Sequence, residues 1–152
     1  MTVISCDTLV MDSKHEAIKG ELSTVQRVLL VEDNPVNQEL FSEYLKILGV
    51  EVVVVPSADG AVAELTKAMR STGFGLVLMD LHMPNKDGVQ ATIEWRQIED
   101  KEGLKPTPIY AITADVRTEE RGRCMDSGMN GFLSKPFRLR DLERLLKSVI
   151  DF

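Results

Sequence analysis

The sequence has few of the residues that disulfide-bonded, zinc-binding or nucleic-acid-binding proteins depend on. Only two of its 152 residues are cysteines, and Cys6 and Cys124 stand far apart and outside any CxxC spacing. We therefore expect two reduced thiols rather than a disulfide framework or a metal–thiolate site. Acidic residues outnumber basic residues by 24 to 18, and the resulting net charge of −6 disfavours direct binding to nucleic acid.

Long apolar segments and a secretory signal are missing as well. No apolar run approaches the ~20 residues that a membrane-spanning helix needs. The N-terminus carries Asp7 and Asp12, and it lacks a basic stretch followed by a long apolar core. These absences predict a cytoplasmic protein without membrane insertion.

The remaining composition, with 43% hydrophobic and 28% charged residues, is that of a single globular domain. Residues 1–24 show no sustained hydrophobic period, and we interpret them as an N-terminal tail or linker. In residues 25–152, five short β-type runs alternate with five amphipathic segments of helical length, which is typical of a parallel α/β sheet. Because the strands are almost continuously apolar, we expect helices on both faces.

The boundaries of these elements follow from capping and turn residues. The predicted strands are residues 27–31, 51–55, 76–80, 109–112 and 131–134, and the predicted helices are residues 35–48, 58–69, 89–100, 116–126 and 139–150. The fourth helix is the weakest, because it is mostly polar and contains Gly122, which costs about 1 kcal/mol relative to alanine in a helix interior. The arginines in and beside this helix are interpreted as part of a solvated face.

Four of the strand-like runs end in polar residues that share a chemistry. Glu32 and Asp33 follow the first run, Asp80 ends the third, Thr113 follows the fourth, and Lys135 follows the fifth. If the strands are parallel, these side chains meet at one edge of the sheet, where open α/β sheets place their ligands. The sequence therefore predicts one site made of three carboxylates, a hydroxyl and an ammonium group.

The chemistry of such a site is limited by charge. Clustered carboxylates repel one another unless a cation neutralises them, and an all-oxygen ligand set suits Mg²⁺. Asp80 could then act as a nucleophile toward a phosphoryl donor, giving an acyl phosphate. Lys135 would pair with the phosphoryl oxygens and Thr113 would donate a hydrogen bond to them.

The same residues resemble the receiver domain of two-component response regulators over about residues 25–150. The resemblance lies in four blocks in the same order and strand context: Leu30–Asn34, Met79–Gly88, Ile112–Ala114 and Lys135–Phe137. It implies a flavodoxin-like (βα)5 three-layer sandwich whose parallel sheet has strand order 2-1-3-4-5. It also implies that Lys135 precedes a cis peptide at Pro136.

The resemblance assigns the chemical roles. Asp80 would be the phosphoacceptor, receiving its phosphoryl group from a histidine of a kinase or of a histidine phosphotransfer protein. Asp33 and Asp80 would bind Mg²⁺ directly, Glu32 would act through water on the metal, and the backbone carbonyl of His82 would complete the protein ligands. Lys135 would bind the phosphoryl group.

The resemblance also implies a conformational readout. Thr113 would be the switch hydroxyl and Phe132 the switch aromatic, here without the phenolic hydroxyl that a tyrosine would provide. Phosphorylation would change the surface formed by the fourth helix, the fifth strand and the fifth helix. That surface is also a candidate homodimer interface. The domain would catalyse only its own phosphorylation and dephosphorylation and would turn over no external metabolite.

Two other classes of function would require different residues at these positions. A phosphatase of the haloacid dehalogenase type usually carries a second aspartate two residues after the nucleophile, but this position is His82. A flavin-binding protein of this fold would need a phosphate cradle rich in serine, threonine and glycine after the first strand, but the residues there are Glu32, Asp33 and Asn34. Both alternatives are therefore disfavoured.

The first helix carries further information about partners. The segment Glu32–Gln38 resembles receivers of hybrid histidine kinases more than transcriptional regulators, and we expect no DNA-binding domain to accompany this receiver-like segment. We expect either a stand-alone regulator or a domain of a hybrid kinase, in which case the kinase would tether it to a membrane. A surface that includes Val36, Asn37 and Leu40 is the candidate docking site for the histidine-bearing partner.

Overall fold

The protein is represented by a computed structural model that describes residues 27–83, 85–114 and 117–150. The strands are β1 (Arg27–Val31), β2 (Glu51–Val55), β3 (Leu76–Asp80), β4 (Ile109–Thr113) and β5 (Gly131–Ser134). The helices are α1 (Pro35–Ile47), α2 (Ala58–Ala68), α3 (Gly88–Glu102), α4 (Thr118–Ser127) and α5 (Leu139–Ile150). The predicted tail, residues 1–24, lies outside the described residues.

The five strands form one parallel sheet in the order β2-β1-β3-β4-β5, which confirms the predicted topology. Helices α2, α3 and α4 cover one face, and α1 and α5 cover the other, so the chain forms three layers. The three inner strands are almost entirely buried, because both faces of the sheet contact apolar helix side chains. None of the helices in the described ranges is long and apolar enough to cross a membrane.

Capping side chains fix where α1 and α3 begin. The Asn34 side chain accepts hydrogen bonds from the backbone N–H groups of Val36, at 2.9 Å, and Asn37, at 3.1 Å. Asp87 and Gln90 form a reciprocal capping box at the start of α3. These bonds satisfy N–H groups that have no partner within the helix, so each helix begins directly after a loop that follows a strand.

Helix α4 has the weakest apolar face of the structure. It begins at Thr118 without a side-chain cap, two residues later than predicted, and it ends at Ser127 before Gly128, whose φ is 105°. Its buried residues are Glu120, Cys124 and Ser127, of which only the cysteine is apolar. Burial of apolar side chains therefore contributes little to holding this helix.

Gly88 sits where the backbone passes very close to the end of β3. A Cβ atom at this position would lie 2.6 Å from Cγ of Met79 and 2.7 Å from the carbonyl oxygen of Asp80. Only glycine allows this approach without displacing the strand end. Gly122 on α4 differs, because a Cβ atom there meets nothing within 4 Å.

The two glycines give a matched test of this close approach. Gly88→Ala should lower the free energy of unfolding by about 1–3 kcal/mol because it forces the strand end and the helix apart. Gly122→Ala should raise it by up to about 1 kcal/mol, because alanine favours an open helix position. Urea unfolding at neutral pH measures both, and equal effects would contradict the packing described at Gly88.

Candidate functional site

The polar residues predicted at the strand ends come together at the carboxyl edge of the sheet. Glu32 and Asp33 follow β1, Asp80 ends β3 and Thr113 ends β4. Lys135 follows β5, and its backbone N–H donates to the carbonyl oxygen of Thr113 at 2.8 Å. Because β1, β3, β4 and β5 are consecutive in the sheet, these ends form one continuous rim.

The three carboxylates form a compact cluster. One oxygen of each of Glu32, Asp33 and Asp80 lies within 4.8 Å of the other two. Glu32 and Asp80 are buried, with 1% and 4% of their surface exposed, whereas Asp33 is partly exposed. Buried carboxylates at this separation repel one another strongly, because little water screens them.

A single lysine offsets part of this charge. The ammonium nitrogen of Lys135 lies 3.3 Å from Oε1 of Glu32 and 3.7 Å from Oδ1 of Asp80. The Asn34 backbone N–H donates to the other oxygen of Glu32 at 3.2 Å. Oε1 of Glu32 is buried and accepts no hydrogen bond from any described residue.

The donor set therefore fits a divalent cation. Three carboxylates and one ammonium group leave two negative charges when all the acids are ionised, and every available ligand atom is an oxygen. Hard cations such as Mg²⁺ take oxygen ligands of this kind. The buried Oε1 of Glu32 accepts no hydrogen bond from a described residue and is offset by the Lys135 ammonium group, which leaves the cluster as a whole negative.

Burial, and after it the negative charge of Glu32, raises the pKa of Asp80 to about 6. Lys135 opposes this rise, as does the backbone N–H of His82, which donates to Oδ1 of Asp80 at 3.2 Å. Asp80 is thus ionised at neutral pH but held in an environment that disfavours its charge. A carboxylate in this state gains from any reaction or ligand that neutralises it.

The loop between β3 and α3 is fastened by a residue that the sequence analysis missed. Lys86 forms ion pairs with Asp59 of α2, at 3.0 Å, and with Glu94 of α3. Its partners are 27 and 8 residues away along the chain, so no local pattern indicates them. The contacts hold the loop that carries His82, whose side chain is exposed.

The arginines of α4 are exposed, as the sequence predicts, but both also make specific contacts. The guanidinium group of Arg121 lies 4.7 Å from the ring centroid of Phe132 on β5. Arg123 donates to Oδ2 of Asp87 at 2.9 Å and also contacts Glu120. Both side chains therefore join α4 to neighbouring elements beside the strand-end rim.

The raised pKa of Asp80 predicts a pH-dependent stability difference. Its folded-state pKa, about 6, exceeds the ordinary value of 3.8, so the ionised group destabilises the fold above pH 6 and ceases to do so below about pH 4. Without metal, Asp80→Asn should raise the free energy of unfolding at pH 7.5 by about 1–3 kcal/mol. Urea unfolding in EDTA should show this gain shrinking as the pH falls toward 4, and a gain that is constant with pH would contradict the assignment.

Comparison with known proteins identifies the family of the chain. The response regulator receiver domain family matches residues 28–147. The sensor protein GacS of Pseudomonas syringae pv. syringae is 39% identical over 124 residues, which cover 82% of this chain and 13% of that protein. Among the curated relatives compared, the chain spans only 5% to 14% of each protein's length.

Two solved structures resemble the fold. The receiver domain of the sensor histidine kinase PA1611 of Pseudomonas aeruginosa, which has a magnesium ion in its active-site cleft, is 38% identical with a TM-score of 0.70, covering 84% of this chain and 98% of that one. A co-crystal structure of the Saccharomyces cerevisiae histidine phosphotransfer protein Ypd1 with the receiver domain of Ssk1 matches at 27% identity and a TM-score of 0.73. The match covers 80% of this chain and 86% of that one. The chain belongs to the response regulator receiver domain family.

Proposed function

We propose that this chain is a phosphoacceptor module in which Asp80 takes a phosphoryl group from a histidine of a kinase or of a histidine phosphotransfer protein. The observation that carries the proposal is the buried Asp80 carboxylate, whose pKa is raised to about 6 and which lies 3.7 Å from the Lys135 ammonium nitrogen. Membership of the receiver family supports it.

We assign the metal site to Asp33, Asp80 and the backbone carbonyl of His82, with Glu32 behind them. When bound there, Mg²⁺ supplies positive charge that offsets the negative charge of the transferring phosphoryl group. The acid cluster and the magnesium-bound receiver of PA1611 support this assignment.

Residues of this chain then take part in the transfer of the phosphoryl group. An Asp80 oxygen forms a bond to phosphorus while the bond from phosphorus to the partner's imidazole nitrogen breaks, leaving an acyl phosphate on Asp80. Lys135 is already shared between Glu32 and Asp80, so it can turn to the new phosphoryl oxygens without crossing the site. The burial of Asp80 limits competing attack by water.

The readout would pass through β4 and β5. Phe132 is paired with Ala111, and Thr113 is the next residue on the same face of β4. We propose that the Thr113 hydroxyl turns to the phosphoryl group and that Phe132 follows it inward, shifting the population of two arrangements of α4 and β5. Homodimer formation through α4, β5 and α5 stays a prediction.

The proposed docking surface for the histidine-bearing partner is an apolar stripe on α1. Val36, Leu40 and Ile47 lie four and seven residues apart and expose 72%, 43% and 65% of their surface. The stripe starts directly after the loop that carries Glu32 and Asp33, so a partner seated on it would face the acid cluster. The co-crystal structure of Ypd1 with a receiver domain supports a partner of this type.

Three further predictions concern external substrates, nucleic acid and cellular location. The module would turn over no external metabolite and would bind no nucleic acid directly. A cytoplasmic location, alone or tethered through a membrane kinase, stays a prediction.

Intact mass spectrometry tests the proposed function. Incubation with acetyl phosphate and Mg²⁺ should add one phosphoryl group to the wild-type protein, and EDTA should prevent the addition. Asp80→Asn should gain none, whereas Asp100→Asn, an exposed aspartate on α3, should behave as wild type. Equal labelling of the Asp80→Asn protein, or none of the wild type, would reject the proposal.

A second experiment tests the docking surface. Leu40→Ala should slow phosphotransfer from a histidine phosphotransfer protein about five- to tenfold, because we expect Leu40 to be one of the few central contacts whose truncation costs more than about 1 kcal/mol of binding. Labelling by acetyl phosphate should not change. Ile93→Ala on α3 is the matched control, since Ile93 exposes 44% of its surface against 43% for Leu40. Equal transfer rates for both variants would place the docking site elsewhere.

A further inference from the structure

Helix α4 is attached to the domain by guanidinium contacts rather than by a broad apolar face. Cys124 is the only apolar residue among its three buried positions, whereas α2 buries Ala58, Ala61, Val62, Leu65 and Ala68. The contact between Arg121 and Phe132 joins α4 to β5, the strand that carries the aromatic residue of the proposed switch.

We propose that Arg121 is a positioning residue that holds the Phe132 ring in its partly exposed orientation and thereby sets how readily the domain switches. The inference rests on the proposed function, because it assumes that phosphorylation draws Phe132 inward. It goes beyond that function by identifying the group that opposes the movement.

The geometry supports a contact that is specific to one state. Phe132 packs partly against the core on the α2–α3–α4 face, and the guanidinium group lies 4.7 Å from its ring centroid. Across the ladder its neighbour is Ala111, which presents only a methyl group. A ring that turned toward Ala111 and Thr113 would leave Arg121, so the cation–π attraction favours the resting arrangement.

The contact with Arg121 matters because residue 132 is a phenylalanine and not a tyrosine. Phenylalanine has no hydroxyl group that could fix the ring through a hydrogen bond, so its orientation depends on packing and on the charge over its face. An exposed cation–π contact shifts a two-state equilibrium about two- to fivefold. That is enough to change the resting population without locking the domain.

Titration with beryllofluoride, a mimic of the phosphoryl group, in saturating Mg²⁺ tests the inference by the amide NMR signals of Thr113 and Leu133. Arg121→Leu should lower the apparent Kd for beryllofluoride about two- to fivefold, while the Kd for Mg²⁺ alone should not change. Arg121→Gln should match it if the charge is responsible, and Arg121→Lys should restore part of the wild-type value.

A double-mutant cycle separates this effect from a general weakening of α4. In a Phe132→Leu background, Arg121→Leu should no longer change the Kd. Arg27→Leu is the control for losing a similar contact elsewhere, because Arg27 lies 4.5 Å from the Phe74 ring centroid at the start of the sheet; it should leave the Kd unchanged.

Three outcomes would overturn the inference. An unchanged Kd in both Arg121→Leu and Arg121→Gln would show that the contact does not oppose switching. An equal decrease in the Phe132→Leu background would show that Arg121 acts through α4 and not through the ring. Wild-type protein that binds no beryllofluoride would reject the proposed function itself, which distinguishes that failure from the other two.

Discussion

The repulsion between two buried carboxylates is the constraint around which this domain is arranged. Glu32 and Asp80 are almost fully enclosed, and one ammonium group, that of Lys135, lies between them. Burying two carboxylates with only one ammonium group is unfavourable for folding, so the surrounding sheet must supply the compensating stability. The same imbalance makes the site receptive to a divalent cation, so the cost of burying the carboxylates and the affinity of the cluster for metal have one source.

The loop after β3 is held more firmly than its polar sequence suggests. The close approach at Gly88, the two ion pairs of Lys86 and the capping box of Asp87 all constrain the few residues that follow Asp80. Asp87 also accepts a hydrogen bond from Arg123, so one side chain joins this loop to α4. A change in the charge of Asp80 therefore occurs close to the contact by which Asp87 joins this loop to α4.

The sequence predicted the sheet and the strand-end residues because both depend on short-range patterns. Apolar runs bounded by turn residues identified β1 to β5, and parallel topology then brought Asp33, Asp80 and Thr113 to one edge. Helix ends were harder to predict: α4 begins at Thr118 rather than Val116, and no capping side chain marks its start. The contacts of Arg121 could not be predicted, since a polar helix gives no sign of which residues it faces.

The two faces of the sheet have a consequence for assembly. Helix α1 packs on one face and α4 on the other, so the sheet separates the apolar stripe of α1 from the arginine-bearing helix. A donor protein seated on α1 would leave α4 uncovered. Delivery of the signal and its recognition by a third molecule would then be sterically compatible, and a ternary complex could form before the donor dissociates.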